Sequence, residues 1–240
     1  MKKIIVLLVI LACTGAGVAS NWVEIRPGAA TPAKVRLTSS SPDRSVVQFS
    51  LDGFYLHEVL TPRGTAYTIS VGKSTPILAA GCPDLPKLTT SLIIPDRAGM
   101  GFRVVSSSYK DFRDLDIAPS KGNLMRDVDP ATVPYQYSKV YAMNRDFPGN
   151  LADAREPFII REVRGQTLIV NPFQYNPVTR TLRVYYDLTV EFYKTSDMGV
   201  NPLIRKTGKR LDPDFNYIYS GYFLNKGVLS YTPLADYGKP

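Results

Sequence analysis

Between Thr181 and Phe192 the chain reads TLRVYYDLTVEF, and no other stretch constrains the fold as tightly. Leu182, Val184, Tyr186, Leu188, Val190 and Phe192 are apolar, whereas Thr181, Arg183, Asp187, Thr189 and Glu191 are polar. Apolar residues at every second position turn one face of an extended chain to a core and the other to water, the pattern of a half-buried β-strand. Upstream lies a second β-rich run, Gln166 to Val170, separated from the first by the turn-forming pairs Asn171-Pro172 and Asn176-Pro177. The two runs are expected to pair as one long antiparallel hairpin within Phe158 to Tyr193. So regular a segment is scaffold, and the chemistry has to hang elsewhere.

The remainder reads as a β-meander. Val47, Phe49 and Leu51 alternate with Gln48, Ser50 and Asp52, and Asp52-Gly53 ends that strand. Strands are also expected at Tyr67 to Val71, at Leu92 to Ile94 before Pro95, and at Phe102 to Ser106. Gly81 to Leu88 carries two prolines, which donate nothing to a ladder, and reads as an extended crossing. Nineteen Pro and seventeen Gly favour short strands and turns, and no helix of more than two turns is expected. The fold class is all-β.

The first twenty residues read as a secretory signal peptide: Lys2 and Lys3, the apolar run Ile4 to Ala12, then small residues to Ala19 and Ser20. Nine apolar residues are too few to span a bilayer, which takes about 20. Ile10-Leu11-Ala12-Cys13 has the outline of a lipoprotein processing box, although Leu11 is bulky for it. The expectation is an exported chain, secreted or at the cell surface, with no membrane span.

Several chemistries are disfavoured by what the chain carries. Beyond the leader Cys82 stands alone, so no disulfide framework forms. A nucleophilic thiol needs a base, and His57 is the single histidine, placed in a strand-like run. Asp111, Asp114 and Asp116 lack the glycine and terminal glutamate of a calcium loop, so neither metal nor cofactor is expected. The net charge of +8 is scattered among acids without a basic run, which reads as a solvated surface and not as a nucleic-acid footprint.

The strand pattern breaks from Ile117 to Pro134, IAPSKGNLMRDVDPATVP, which reads as a long exposed loop. Loops of this length in compact domains are functional or disordered. At its middle, Leu124-Met125-Arg126-Asp127 sets a long cation behind two apolar side chains.

Five fragments occur in order: Gly81-Cys82-Pro83-Asp84-Leu85-Pro86, Ile117-Ala118-Pro119-Ser120-Lys121-Gly122, Phe147-Pro148-Gly149, Val163-Arg164-Gly165 and Gln174-Tyr175-Asn176-Pro177-Val178-Thr179. As an ordered set they resemble the N-terminal propeptide of the gingipain-like secreted cysteine peptidases, over roughly Val35 to Pro233. The resemblance implies an antiparallel β-sandwich prodomain that folds beside the catalytic domain, assists its folding and blocks its cleft. Its partner would be that peptidase domain, in cis or in trans. It also implies that a loop places a basic side chain in the specificity pocket. Carried onto this sequence, Arg126 takes that position, flanked by Leu124, Met125 and Asp127, with Lys121 as the fallback. A guanidinium suits a buried carboxylate because its planar fork donates bidentately. Asp127 and Asp129 would disfavour cleavage of the loop, and the Phe158 to Tyr193 hairpin would be the platform against the peptidase.

The implied division is residues 1–20 as signal peptide, 21–230 as propeptide, and 231–240 as the start of a peptidase domain or a tail. The family's catalytic residues fall outside such a region, so the chain itself is not expected to be an enzyme. Processing candidates are Ser230-Tyr231, Lys226 and Arg126. No basic residue directly precedes Tyr231, so cleavage there by a basic-specific peptidase does not fit. Cys82 takes a place that needs only a small residue. The alternative is a cell-surface β-sandwich binding module for carbohydrate or protein, with Tyr135, Tyr137 and Tyr141 as an aromatic platform.

Overall fold

A computed structural model describes residues 20–204 and 213–230. The signal peptide up to Ala19, with the Cys13 box, and the segment from Tyr231 to Pro240 lie outside the described residues. In chain order the strands are β1 Ser20–Glu24, β2 Lys34–Ser41, β3 Arg44–Ser50, β4 Gly53–Thr61, β5 Gly64–Ser70, β6 Thr75–Pro76 and β7 Pro86–Ile93. There follow β8 Ala98–Phe112, β9 Ala152–Ala154, β10 Phe158–Ile160, β11 Val163–Val170, β12 Phe173–Asn176 and β13 Thr181–Met198. The one described α-helix, α1, is Asn216–Tyr222.

The strands form three antiparallel sheets. One has the order β12-β13-β3-β2 with β8 on the other edge of β13; a second has β10-β11-β7-β6 with β9 also on β11; a third has β1-β4-β5. The first two face each other across a common core. Val47, Phe49, Val184, Leu188 and Val190 come from one side, Leu88, Leu92, Leu168 and Val170 from the other. Each such side chain buried contributes about 1.5–3 kcal/mol. The third sheet covers an end of this core with Phe54 and Ile69.

The alternation at β13 has its expected meaning, since Leu182, Val184, Leu188 and Val190 are fully buried. Glu191 departs from it. Placed by parity on the wet face, it is buried beneath Arg44 and Arg103, both of which donate to its carboxylate. The Arg44 hydrogen bond, then that of Arg103, holds this carboxyl below its usual range. The expected hairpin needs correction. β11, which contains Gln166 to Val170, does not pair with β13; it belongs to the second sheet and pairs with β7, β9 and β10. The hairpin partner of β13 is the short β12, in register from Phe173↔Val184 to Asn176↔Thr181. Asn171 turns the chain from one layer to the other, its N–H donating to Leu151 O and its Nδ2 to Asn150 O. The Asn176-Pro177 turn closes the real hairpin, with Asn176 Oδ1 accepting from the N–H groups of Val178 and Thr179.

Arg164, on β11, is almost fully buried. It donates to four carbonyls, those of Pro95, Ala98, Val200 and Asn201, at 2.6 to 3.0 Å. Four carbonyl acceptors replace the water that a buried guanidinium loses, so the charge becomes a staple for two loops. Beside it, a Cβ on Gly165 would stand 2.4 Å from the Phe223 ring. Only glycine lets the end of α1 seat Phe223 and Tyr219 in a second small core with Ile93 and Val163.

Candidate functional site

The segment from Ile117 to Pro134 is not uniformly exposed, as its sequence suggests. Its first four residues, Ile117 to Ser120, are buried. Ile117 bridges Tyr67 of β5, and Pro119 bridges Pro83. Strand-like hydrogen bonds then tie this arm to the crossing that precedes β7: Asp84 N donates to Ala118 O at 2.9 Å, Ser120 N to Cys82 O at 2.7 Å, and Gly81 N to Ser120 O at 2.9 Å. The returning arm is bound to the same strap, since Ser138 N donates to Gly81 O at 2.9 Å. Gly81 is therefore squeezed between two arms. Its φ is +74°, and a Cβ there would lie 3.1 Å from Ser138 Cβ and 3.2 Å from Gln136 O. Two fragments thirty-six residues apart in sequence, Gly81 to Pro86 and Ile117 to Gly122, are one physical object: an anchor for a loop.

Above the anchor the neck is closed by Lys121. Its Nζ donates to Pro130 O at 2.6 Å and lies 4.3 Å from the centre of the Tyr135 ring. Asp129 caps the short 3-10 turn Pro130–Thr132, its Oδ1 accepting from Ala131 N at 2.9 Å. The Lys121 ammonium makes its hydrogen bond within its own loop, and the Asp129 carboxylate is a cap.

At the tip Val128 N donates to Met125 O at 3.2 Å, which makes Arg126 and Asp127 the central pair of a turn. Arg126 and Asp127 are exposed, Met125 is 77% exposed, and Leu124 is half-buried. Among the described residues the Arg126 side chain has no hydrogen bond or ion pair. A free guanidinium thus stands at the end of a loop closed at its neck and bonded at its base.

Comparison with known proteins places this geometry. The family model Propeptide_C25 matches residues 28–205. The chain belongs to this propeptide family. Gingipain R1 of Porphyromonas gingivalis is 40% identical over 200 residues, which is 83% of this chain and 20% of that protein. Gingipain R2 of the same organism is 36% identical over 203 residues, 85% of this chain and 27% of that protein. The propeptide thus spans about a fifth to a quarter of the length of these relatives. A solved complex of the RgpB pro- and mature domains from P. gingivalis aligns with a TM-score of 0.75 and 37% identity, covering 80% of this chain and 97% of that one. A structure of gingipain K from P. gingivalis, described for its zymogenic latency, has the same fold at a TM-score of 0.61 and 22% identity. The fold of the propeptide is the all-β one expected.

The other candidate residues take structural places in the propeptide. Tyr137 and Tyr141 form no flat platform: their rings meet edge to face at 4.6 Å. The Tyr137 hydroxyl donates to Thr61 Oγ1 and that of Tyr141 to Ile117 O, both at 2.8 Å. Burial pushes the Tyr141 phenol far above its usual range. His57 Nε2 lies 2.6 Å from Ser70 Oγ, within the third sheet, while Cys82 Sγ lies 3.7 Å from Ser138 Oγ, in the anchor. Asp111 and Asp116 are taken by Arg183 and Arg180. Asp84, also in the anchor, is half-buried, and desolvation raises its carboxyl pKa.

Lys226 follows Asn225, which is 1% exposed. The Asn225 side chain accepts from Ile93 N at 2.7 Å and donates to Ile93 O at 2.9 Å, as a neighbouring strand would. Lys226 opens the 3-10 turn that runs to Ser230, with Val228 buried. Cleavage at Lys226 needs an extended backbone, so this turn must first leave the sheet. Ser230 ends the described chain, and Tyr231 lies outside it. Among the described residues no helix is long and apolar enough to cross a membrane.

Proposed function

We propose that this propeptide keeps a gingipain-type cysteine endopeptidase latent by presenting Arg126 to its specificity pocket, in cis within a precursor or in trans after release. It also serves as a template on which that domain folds. Residues 1–20 direct export to the cell surface or beyond, 21–230 are the propeptide, and 231–240 open the peptidase domain or form a tail. The observation that carries this reading is the exposed Arg126, unpaired among the described residues, at the tip of a turn whose loop is bonded at neck and base. A pocket that reads a basic residue holds a carboxylate, to which a guanidinium donates two parallel hydrogen bonds. Met125, already exposed, and Leu124 fill apolar ground beside it.

Blocking, as opposed to being cut, follows from the same restraint. A loop already ordered loses little entropy on docking. Its peptide bond after Arg126, held in a turn, is kept from the extended alignment that attack requires. Asp127 adds a charge just beyond that bond. The experiment is inhibition of mature gingipain R1 by the purified chain. Arg126→Ala is expected to weaken inhibition at least tenfold without changing the unfolding midpoint, and equal inhibition by the two proteins removes the assignment.

A further inference from the structure

Beside the loop's base lies a pocket of about 150 Å³, lined among others by Arg63, Thr65, Ile117, Tyr137, Tyr141 and Arg180. Arg63 occupies the Pro62-Arg63 turn that joins β4 to β5. Its guanidinium carbon lies 3.9 Å from the centre of the Tyr137 ring and 5.8 Å from that of Tyr141. A cation over an aromatic face is held in place by the ring quadrupole, which does not use up its N–H donors. Among the described residues the Arg63 side chain has no hydrogen bond and no ion pair. The second cation of the pocket is spent, because Arg180 Nε and Nη2 each donate to Asp116 at 2.9 Å. Two guanidinium groups and one carboxylate leave the pocket with one uncompensated positive charge.

We propose that this pocket receives a carboxylate side chain of the peptidase domain, with Arg63 as the residue that binds it; this rests on the reading of the chain as a latency propeptide. Size selects the occupant. Pockets for drug-sized ligands measure about 300–1,000 Å³, whereas this one has room for a single side chain. Charge selects the chemistry: a pre-positioned planar fork of donors matches a carboxylate. Position selects the source. Ile117 and Tyr137 belong to the outgoing and returning arms of the loop, so a group entering the pocket comes from the protein into which the tip inserts. On the same hairpin Leu60 is 82% exposed, an apolar neighbour of the kind found around interface anchors. Sequence shows a turn at Thr61-Pro62-Arg63-Gly64 but not the ring beneath it, which comes from seventy-four residues further along the chain.

The test uses the full exported chain against mature gingipain R1, with inhibition measured at low and high salt. Arg63→Ala is expected to weaken inhibition about tenfold at low salt, with an unchanged unfolding midpoint. The gap from wild type should narrow at high salt, because the lost contact is ionic and lies at a rim. A gap equal at both salts means that Arg63 only props Tyr137, and overturns the proposal. Wild-type inhibition by Arg63→Ala, with Arg126→Ala still impaired, overturns this proposal alone. If both variants inhibit like wild type, both residue assignments fall; if the wild-type chain does not inhibit at all, the latency reading fails and takes the pocket with it.

Discussion

In the middle of β13, from Leu182 to Phe192, the apolar side chains pack into the core and the backbone is paired on both edges, whereas between Lys121 and Pro130 no side chain is fully buried and the chain is held by contacts at its neck. The strand is stable because burial is distributed over many side chains, each replaceable at a cost. The loop is ordered because its ends are fixed. Its tip is therefore free of the packing constraints that govern the strand, and can carry a side chain chosen for a partner. A variant in the strand should move stability without touching inhibition per folded molecule, and a variant at the tip should do the reverse.

The largest expected effect is in the strand. Leu188→Ala should cost about 2–5 kcal/mol, which at roughly 2–4 °C per kcal/mol lowers the unfolding midpoint by several degrees in a thermal melt followed by circular dichroism. Below that midpoint inhibition should be retained, and a loss there would break the comparison. Next comes Arg126→Ala, at least tenfold in inhibition and nothing in the melt. Gly81→Ala tests the anchor that joins the two regions. With φ at +74° and backbone on two sides, an added Cβ should cost about 1–2 kcal/mol. It should also speed cutting after Arg126 by a basic-specific protease, because the arms loosen; unchanged cutting would mean that the Lys121 neck suffices.

The smallest effect is a pH dependence at Asp84. Burial raises its folded pKa, so its contribution to stability is fully present below the unfolded carboxylate pKa, about 3.9, and is lost as pH rises through the folded value. Asp84→Asn should thus melt slightly above wild type at pH 7, with the difference vanishing in acid. Asp111 runs the other way. The Arg183 hydrogen bond lowers its carboxyl, so its contribution is present above the unfolded pKa and lost as pH falls through the folded one. Only the difference between variant and wild type isolates Asp84. A difference that persisted in acid would show that its charge is not the cause.

Much of the scaffold was legible because β-structure writes a period of two. β13, β3 and β5 lie where alternation and turn residues put them. The hairpin partner of β13 was not legible, because pairing is a choice among strands of similar composition. Gln166 to Val170 is more strongly β-forming than Phe173 to Asn176, yet the Asn171 bonds to Asn150 and Leu151 send it to the other layer. Glu191 illustrates the same gap: parity puts it in water, and two arginines from β3 and β8 cover it. At the site, Arg126 could be singled out from the loop and the family resemblance. The place of Lys121 at the neck and of Asp129 as a cap depends on groups a few residues away in a geometry that no spacing rule fixes.

The sequence by itself determined that this chain is all-β, that β13 has one buried face, and that a long irregular segment interrupts the strands. These properties follow from local periodicity and from the backbone limits of proline and glycine. Tertiary structure decided which strands share a sheet, why Gly81 must be glycine, and which of the cations near the loop are spent and which are free. Those outcomes depend on who stands opposite whom: Ser120 and Ser138 against Gly81, Pro130 against Lys121, Tyr137 under Arg63. A hydrogen bond or a stacked cation between distant residues leaves no period in the sequence.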